Sequence, residues 1–310
     1  MVKQSDWGII YCPIKNSRST HKRWQKIKKY LEEENISFDF VQSEGETSVE
    51  RLSSMLAANG YHTILIVGGD AAVNAAVNGL MNSGIDYTTV ALGVIPNGFA
   101  NDFARFWGYQ EKEYKQTITW LRERRIRTID VGEVHYTVEG KNKIIYFVDC
   151  INLGAAASIM NLRKKMHSFW GFRTLSFISS AFLLLFQRME YKMHLKVNED
   201  DFTKKVMTVC IGSASGYGQT PNAVPYNGLL DVSVVSHPEV AQLLQGLWLL
   251  FTGRFLTASN VKSYRTKHVS ILATSKARIA LDGKVLRELH PITTLEIKVK
   301  QEILNFIIPS

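Results

Sequence analysis

The stretch Val67-Gly68-Gly69-Asp70-Ala71-Ala72-Val73-Asn74 decides the fold of this 310-residue chain, because it turns a buried strand directly into a helix. The strand is the β-branched run Thr63–Val67, and the helix is Ala71–Met81, whose apolar residues recur at helical spacing. Glycines let a backbone come close to a ligand, and the first amides of a helix attract anions. The turn therefore predicts a phosphate site, although no P-loop Gly-Lys-Ser/Thr follows it. Its candidate residues are Gly68, Gly69, Asp70, Ala71 and Asn74.

Asp70 has two interpretations that the sequence leaves open. A carboxylate beside a phosphate site suits a metal ion or a reacting hydroxyl group. The same residue type is also a common N-cap, in which case its role is structural.

A second turn of the same kind follows the apolar strand Val90–Ile95 and opens another helix near Asn101. In an open parallel sheet both turns lie at the carboxyl ends of their strands, where ligands bind. The alternative is an ordinary loop closed by an Asn-Asp cap. The binding interpretation adds these candidates to the site: Pro96, Asn97, Gly98, Asn101 and Asp102.

The pattern of elements changes near residue 128. Before it, strands alternate with helices, which predicts an α/β domain over residues 1–128 with a Rossmann-like, mostly parallel sheet. After it the chain is mostly short strands, which predicts a β-rich antiparallel sandwich over residues 129–300. The predicted strands of this second domain include Ile144–Cys150, Val206–Gly212 and Leu295–Lys300.

The composition narrows the class of protein. With 37 Lys and Arg residues against 28 Asp and Glu, the formal charge is +9, and 45% of the residues are hydrophobic. These values indicate a globular protein with an anionic partner. The three cysteines (Cys12, Cys150 and Cys210) fit no zinc spacing, and they favour a reducing compartment. Aromatic residues do not alternate with basic ones, so we expect no nucleic acid partner.

Two apolar runs, Phe169–Phe186 and Val240–Leu256, are interrupted by polar and charged residues, so neither is expected to span a bilayer. The first interpretation is that both are core helices. The second is that one lies against a membrane, where the preceding Arg163, Lys164 and Lys165 would meet anionic lipid. No signal peptide is recognised, and a cytoplasmic location, with peripheral contact at the inner membrane face, is expected.

Taken together and in order, the motifs resemble the diacylglycerol kinase catalytic-domain family, which includes bacterial lipid kinases and sphingosine kinases. The two turns carry the first part of the resemblance, with Val77-Asn78-Gly79-Leu80 between them. The later matches are Ile129-Asp130-Val131-Gly132, Asn152-Leu153-Gly154, Pro221-Asn222-Ala223, Gly228-Leu229-Leu230-Asp231 and Leu281-Asp282-Gly283.

The resemblance implies a fold like that of NAD kinases and diacylglycerol kinases, in which the tail 301–310 returns to the first domain. It implies an ATP- and Mg²⁺-dependent kinase that phosphorylates a hydroxyl of a diacylglycerol- or sphingoid-like lipid at an anionic membrane surface. Asp282 and Asp70 would then be the catalytic residues, and Asp70 and Asp102 the metal ligands. A homodimer is an open alternative for its assembly.

Several residues depart from the family pattern at the site itself. Ala71 and Ala72 replace Gly-Thr, and Ala71 adds a methyl group where the family glycine is expected to serve either a positive φ or a close approach to phosphate. Lys284 replaces the carboxylate of a late Asp-Gly-Glu motif, which reverses the charge there. The remaining departures are Cys12, Phe99 and Tyr226-Asn227, the last in place of an Asp pair that holds a structural metal.

These departures leave two accounts open. In one, Asp70, Asp102 and Asp282 suffice for transfer, and Lys284 meets a phosphate. In the other, the chain is a catalytically impaired relative that binds lipid or nucleotide. An NAD kinase-like activity is a third alternative.

Overall fold

The computed structural model describes residues 6–14, 17–98, 100–160, 190–237, 245, 248–249, 252–274, 277–286 and 294–310. The chain divides into two compact units, one of Met1–Val131 with Gln301–Ser310 and the other of Gly132–Lys300. The predicted run Phe169–Phe186, most of Val240–Leu256 and the basic residues 163–165 lie outside the described residues, as does Phe99. Within the described ranges, no helix combines the length and the hydropathy that a bilayer span requires.

The first unit alternates strands with helices, and a 3₁₀ turn at Tyr87–Thr89 precedes its fourth strand. Its elements are β1 (Trp7–Tyr11), α1 (Arg18–Glu33), β2 (Phe38–Gln42), α2 (Glu46–Ala58), β3 (Thr63–Gly68), α3 (Asp70–Met81), β4 (Ala91–Pro96), α4 (Asp102–Phe106) and α5 (Tyr114–Glu123).

The second unit is made mainly of strands, with helical residues at 155–160 and 3₁₀ turns at Gly216–Gly218 and Phe255–Thr257. Its strands are β5 (Ile126–Val138), β6 (Lys141–Phe147), β7 (Cys150–Gly154), β8 (Tyr191–Val197), β9 (Asp200–Val206), β10 (Thr208–Gly212), β11 (Leu230–Val235), β12 (Val261–Thr266), β13 (His268–Thr274), β14 (Ile279–Leu281), β15 (Lys284–Leu286) and β16 (Leu295–Ile307). The start of β5, up to Val131, and the end of β16, from Gln301, belong to the first unit.

The sheet of the first unit has the order β2-β1-β3-β4-β16, and all of its neighbouring strands are parallel. The end of β16 closes it, because Asn305 and Phe306 pair with Ala91 and Leu92 of β4. Buried parallel strands read as continuous apolar runs, as β3 and β4 do.

Helices cover both faces of this sheet. On one face, Trp24 and Ile27 of α1 pack with Ile118 of α5 in a core that includes Ile9 and Val67. On the other face, α2 and α3 contact each other, and Gly8 of β1 faces Leu56 of α2 because side chains alternate along a strand. The first unit therefore has the predicted α/β architecture.

The second unit is an antiparallel sandwich. One sheet has the order β12-β11-β10-β7-β14-β15, and the other contains β9, β8, β13 and β16, with β5 joining β16 to β6. Alternate residues of both sheets form one apolar core, which includes Ile151 and Ile211 from the first and Leu195 and Ile271 from the second. The predicted fold class is thus confirmed for both units.

Two predicted strands were wrong, because each is broken by a bend. Ile144–Cys150 is the end of β6 and the start of β7, separated at Val148 and Asp149. Val206–Gly212 joins the end of β9 to β10, with Met207 between them. The first bend is held by the carboxylate of Asp282, described below, and no local propensity in the run marks it.

Candidate functional site

The two glycine-containing turns lie side by side at the carboxyl ends of β3 and β4. Gly68 is in register with Pro96, and the Asn97 amide donates to the Gly68 carbonyl at 2.8 Å. Two residues after Gly68, the Asp70 amide donates to the Ala100 carbonyl at 3.0 Å. The structure therefore brings the predicted residues of the two turns together into one edge of the sheet.

Gly69 and Gly98 are required by the contact between the turns. A Cβ on Gly98 would lie 2.1 Å from the Gly69 Cα, and a Cβ on Gly69 would lie 2.4 Å from the Ala100 carbonyl oxygen. No side chain fits at such distances from backbone atoms, so the close approach of the turns explains both glycines directly.

Asp70 is buried and acts as the cap of a helix other than its own. Its carboxylate oxygens accept the amides of Asp102, at 2.9 Å, and Phe103, at 3.2 Å, which are the first two residues of α4. A carboxylate at a helix N-terminus satisfies orphan amides and opposes the helix dipole. Of the two interpretations of Asp70, these contacts favour the structural one, with the cap on α4 instead of α3.

Ala71 does not strain the turn. It is the second residue of α3 and has no positive φ, so the first alternative, a glycine conformation at this position, was wrong, and the close approach to phosphate stays a prediction. The amides of Ala72 and Val73 donate to the Gly69 carbonyl, at 2.9 and 3.1 Å, as α3 begins. The alanine methyl is compatible with the turn because the helix starts one residue earlier than predicted.

Two further candidates interact within their own helices. Asn78 Nδ2 of α3 donates to Asn74 Oδ1 at 3.3 Å, and Asn74 is buried. On α4, Arg105 Nη2 contacts Asp102 Oδ1 at 3.0 Å. The side chain of Asp102 is mostly shielded, so its charge is partly neutralised by its neighbour.

Asn97 joins the second turn to α1. It is fully buried, its Nδ2 donates to the Thr20 carbonyl at 3.1 Å, and its Oδ1 accepts from Arg23 Nη1 at 3.0 Å. Sequence reasoning missed Arg23, because nothing in the helical spacing of α1 separates it from the other lysines and arginines there.

Asn101 closes the same turn on itself. Its Oδ1 accepts the Gly98 amide at 3.0 Å, and its Nδ2 donates to Glu111. Glu111 also pairs with Arg23, at 3.2 Å, so one ion pair supports both asparagines of the turn. Glu111, like Arg23, was missed by the motif analysis.

Two departures from the family pattern meet at Gly68. A Cβ on Gly68 would lie 2.9 Å from the Ala72 Cβ and 3.2 Å from the Cys12 Cβ, so these two side chains flank the glycine. Burial raises the pKa of the Cys12 thiol to about 11, so this group is neutral at physiological pH. The surroundings of Gly68 are therefore less polar than the motif alone suggests.

In the second unit, Asp282 lies in a two-residue hairpin between β14 and β15. Asp282 and Gly283 have φ values of 43° and 81°, as the Asp-Gly pair of a type I′ turn requires. Asp282 is fully buried, and its carboxylate accepts the amides of Val148, Asp149 and Cys150 at 2.9, 3.0 and 2.8 Å. The carboxylate therefore anchors the bend between β6 and β7.

Asp149 is a second buried carboxylate at this bend, and the sequence analysis missed it. Its Oδ1 accepts the Gly216 amide at 2.9 Å, and its carbonyl accepts the amides of Ser213 and Ala214. The glycine-rich segment after β10 is thus the loop that wraps around Asp149. The sequence signal that could have identified Asp149 is an aspartate at the end of an apolar run.

The second unit contains further buried or half-buried polar side chains. Burial and a contact with Cys210 raise the pKa of the Cys150 thiol well above its usual value. Asp231 forms a two-point ion pair with Arg265, at 2.8 and 3.3 Å, beside a cavity of about 280 Å³. Lys284 follows Gly283 directly at the start of β15 and is half-buried. Among the described residues, no three acidic, histidine or cysteine side chains cluster as metal ligands.

Two family models match the chain in sequence order. Residues 6–134 match “Diacylglycerol kinase catalytic domain”, and residues 150–307 match “YegS C-terminal NAD kinase beta sandwich-like domain”. The first match includes both turns, and the second includes the Asp282 hairpin.

Individual relatives agree with these matches. The chain is 23% identical to “Putative lipid kinase YtlR” of Bacillus subtilis over 298 residues, which cover 91% of this chain and 94% of the relative. A structure titled “A putative diacylglycerol kinase from Bacillus anthracis str. Sterne” matches with a TM-score of 0.73 and 17% identity, over 99% and 98% of the two chains. A yeast NADH kinase structure matches with a TM-score of 0.54 and 9% identity, over 99% of this chain and 85% of the other. At these identities the structural matches establish the fold.

Proposed function

Since the chain belongs to the diacylglycerol kinase catalytic-domain family, we propose that it is a lipid kinase that transfers the γ-phosphoryl group of ATP to a hydroxyl of a diacylglycerol- or sphingoid-like lipid. The observation that carries the proposal is the contact between the two turns at the carboxyl ends of β3 and β4. Ligands of open parallel sheets bind at this edge.

The first turn fits a nucleotide phosphate. The amides of Asp70, Ala72 and Val73 donate to backbone carbonyls, whereas no atom of the described residues accepts from the Ala71 amide. At the start of the 12-residue helix α3, such an amide and the helix dipole favour an anion. We therefore assign Gly68, Gly69 and Ala71 to the phosphates and the second turn to the shape of the same site.

The described residues do not fit a magnesium ion held by the protein alone. Both carboxylate oxygens of Asp70 accept amides of α4, and Asp102 contacts Arg105. The Mg²⁺ dependence implied by the resemblance stays a prediction, and we assign no step to the metal.

The contacts favour positioning roles for the two predicted catalytic residues. Asp70 fixes the start of α4 and therefore the second turn, and Asp282 fixes the bend at residues 148–150. Phosphoryl transfer passes through a loose transition state, so positioning and charge contribute more than a strong base. Lys284, next to the Asp282 hairpin, is our candidate for a cation that meets a phosphate.

A second function is favoured by the side chains around Gly68. Cys12 and Ala72 place a neutral thiol and a methyl group beside the glycine, where polar groups would otherwise bind phosphate. This observation supports an impaired relative that binds nucleotide or lipid without turnover.

The test is the transfer of labelled phosphate from ATP to a panel of diacylglycerols, sphingoid bases and NAD. We expect a lipid product, and we expect Asp70→Asn and Asp282→Asn to lower the rate at least tenfold while both variants remain folded by circular dichroism. A matched control is Asp86→Asn, which makes the same chemical change at the cap of an exposed 3₁₀ turn, keeps an acceptor there and leaves the rate unchanged.

The outcomes separate the proposals. Nucleotide binding without product on any acceptor supports the impaired relative, and a product from NAD alone supports an NAD kinase. Unchanged rates in both aspartate variants contradict the site assignment. Lys284→Glu is informative in either case, because raised transfer shows that the charge at this position limits the reaction.

A further inference from the structure

Helix α1 carries an unusual concentration of positive charge. Among the residues of α1 (Arg18–Glu33), six are Lys or Arg and two are Glu, and both glutamates lie in its last turn. The buried face of α1 is formed by Thr20, Trp24, Ile27 and Leu31, so the cations lie on its remaining surface.

Several of these cations are neutralised by neighbours. Arg23 pairs with Glu111 at 3.2 Å. Lys28 and Lys29 each pair with a glutamate one helical turn further on, Lys28 with Glu32 at 3.9 Å and Lys29 with Glu33 at 3.5 Å. The other exposed cations of the helix are Arg18, Lys22 and Lys26, spaced four residues apart. No acidic group of the described residues pairs with any of the three.

This arrangement is unfavourable for the helix itself. Like charges four residues apart repel each other, and cations in the first turns oppose the helix dipole. The first turn of α1 contains no acidic residue that would compensate. A charge pattern that costs stability without forming a contact points to a partner outside the chain.

The row lies next to the candidate nucleotide site. The N-cap of α1, Ser17, follows the carboxyl end of β1, and the Thr20 carbonyl accepts a hydrogen bond from Asn97 of the second turn. Because β1, β3 and β4 are parallel, the start of α1 and both turns share one edge of the sheet.

We propose that Arg18, Lys22 and Lys26, the α1 row, form a docking surface for the head groups of an anionic lipid bilayer. The row extends about 12 Å along the helix at 1.5 Å per residue, so several head groups can meet it at once. The exposed residues between the cations (Ser19, His21 and Gln25) offer one small imidazole ring and no Phe, Tyr or Trp, so a platform for stacking successive nucleic acid bases is missing from the row. The docking surface rests on the proposed function in one respect only, which is that an enzyme acting on membrane lipids must reach a bilayer.

The experiment is co-sedimentation of the full chain with two kinds of phosphatidylcholine vesicle. One kind contains no phosphatidylglycerol, and the other contains about 30% phosphatidylglycerol, which is roughly the anionic content of a charged leaflet. Each cation near an anionic surface contributes about fivefold to partitioning, so a triple Gln substitution is expected to reduce binding by about a hundredfold. The substitutions are Arg18→Gln, Lys22→Gln and Lys26→Gln.

A second triple variant has the same change in net charge at exposed lysines of the second unit and is expected to bind within about threefold of the wild type. Its substitutions are Lys196→Gln, Lys205→Gln and Lys298→Gln. Thermal unfolding serves as the folding check, since removing the repulsion in α1 should leave its stability unchanged or higher.

Each outcome decides for or against the α1 row. Equal losses in the two triple variants mean that only net charge matters and overturn the proposal, as does equal binding to neutral and anionic vesicles. Tighter binding of the wild type to a random-sequence RNA than to anionic vesicles also overturns it. So does a tenfold higher KM for ATP with unchanged vesicle binding, because the row would then serve the nucleotide. Vesicle binding that depends on the row, in a protein that phosphorylates no lipid, supports this surface and refutes only the proposed function.

Discussion

Gly98→Ala tests whether the two turns must touch. The new Cβ would lie 2.1 Å from the Gly69 Cα and 2.3 Å from its nitrogen, and both are backbone atoms that cannot rotate away. To reach an ordinary contact of 3.4 Å, the turns must separate by about 1.3 Å. Overpacking of this kind costs about 1–3 kcal/mol of unfolding free energy. A displacement near 1 Å at a reacting site reduces the rate by about a hundredfold.

The assay pairs chemical denaturation with nucleotide binding and lipid phosphorylation. Gly45→Ala is the matched control, because a Cβ there meets no atom within 4 Å and its backbone is extended. We expect the control to keep wild-type binding and to be equally or slightly more stable, since alanine restricts the unfolded chain. A Gly98→Ala protein that binds ATP and turns over like the wild type would refute the reasoning that the contact between the turns creates the site.

Three further predictions follow from the contacts of single side chains. Asp282→Asn removes a carboxylate that accepts three buried amides, so denaturation should show a loss of about 2–4 kcal/mol, and the activity that remains should keep the wild-type pH profile. Arg23→Gln removes the contacts that support the second turn, so the KM for ATP should rise about tenfold with little change in kcat. Arg23→Lys should have a smaller effect on the KM, because a lysine still pairs with Glu111. Because burial raises the pKa of Cys12 to about 11, its thiol should react with iodoacetamide more than tenfold slower at pH 8 than a free cysteine does, and the rate should rise toward pH 11.

Each of these has an outcome that contradicts it. If the rate of phosphoryl transfer falls at acidic pH in the wild type but not in Asp282→Asn, the carboxylate acts as a base and not as an anchor. An equal fall in kcat for Arg23→Gln and Arg23→Lys, at constant KM, contradicts a role in nucleotide binding. Rapid alkylation of Cys12 at pH 8 in the folded protein, located by peptide mapping, contradicts its neutral state.

The elements of the first unit could be predicted well because their signals are local. The predicted strand Thr63–Val67 differs from β3 by one residue, and the apolar runs of β3 and β4 are typical of strands buried on both faces. Helix α3 begins one residue earlier than predicted, since the chain turns at Gly69 and Asp70 already has helical geometry.

The second unit was harder to predict because its bends depend on distant residues. Asp282 anchors Val148 to Cys150 across more than 130 positions, so the apolar run from Ile144 reads as one strand. Strand β9 was missed except for its last residue, Val206, because most of its residues are polar or exposed on the surface of the sheet. Nothing in the local pattern distinguishes such a strand from a loop.

For the candidate site, the sequence motifs lead to residues that the structure places together within each turn, but they do not show the contacts of those residues. The motifs led to Asp70 and Asp282, but a motif does not show that both carboxylates accept backbone amides from other segments. Arg23 and Glu111 were missed because an ion pair between α1 and the segment before α5 has no sequence signature. Positions alone therefore lead to a candidate site, and the contacts show which residues hold the backbone there.

The most direct test of the central claim measures ATP consumption and phosphorylated lipid in the same reaction with the purified protein. We predict that both appear at a ratio of one to one, and that both disappear in Gly98→Ala while Gly45→Ala retains them. ATP that is bound but not consumed in the presence of every lipid tested, or consumed without any phosphorylated lipid, would contradict a lipid kinase.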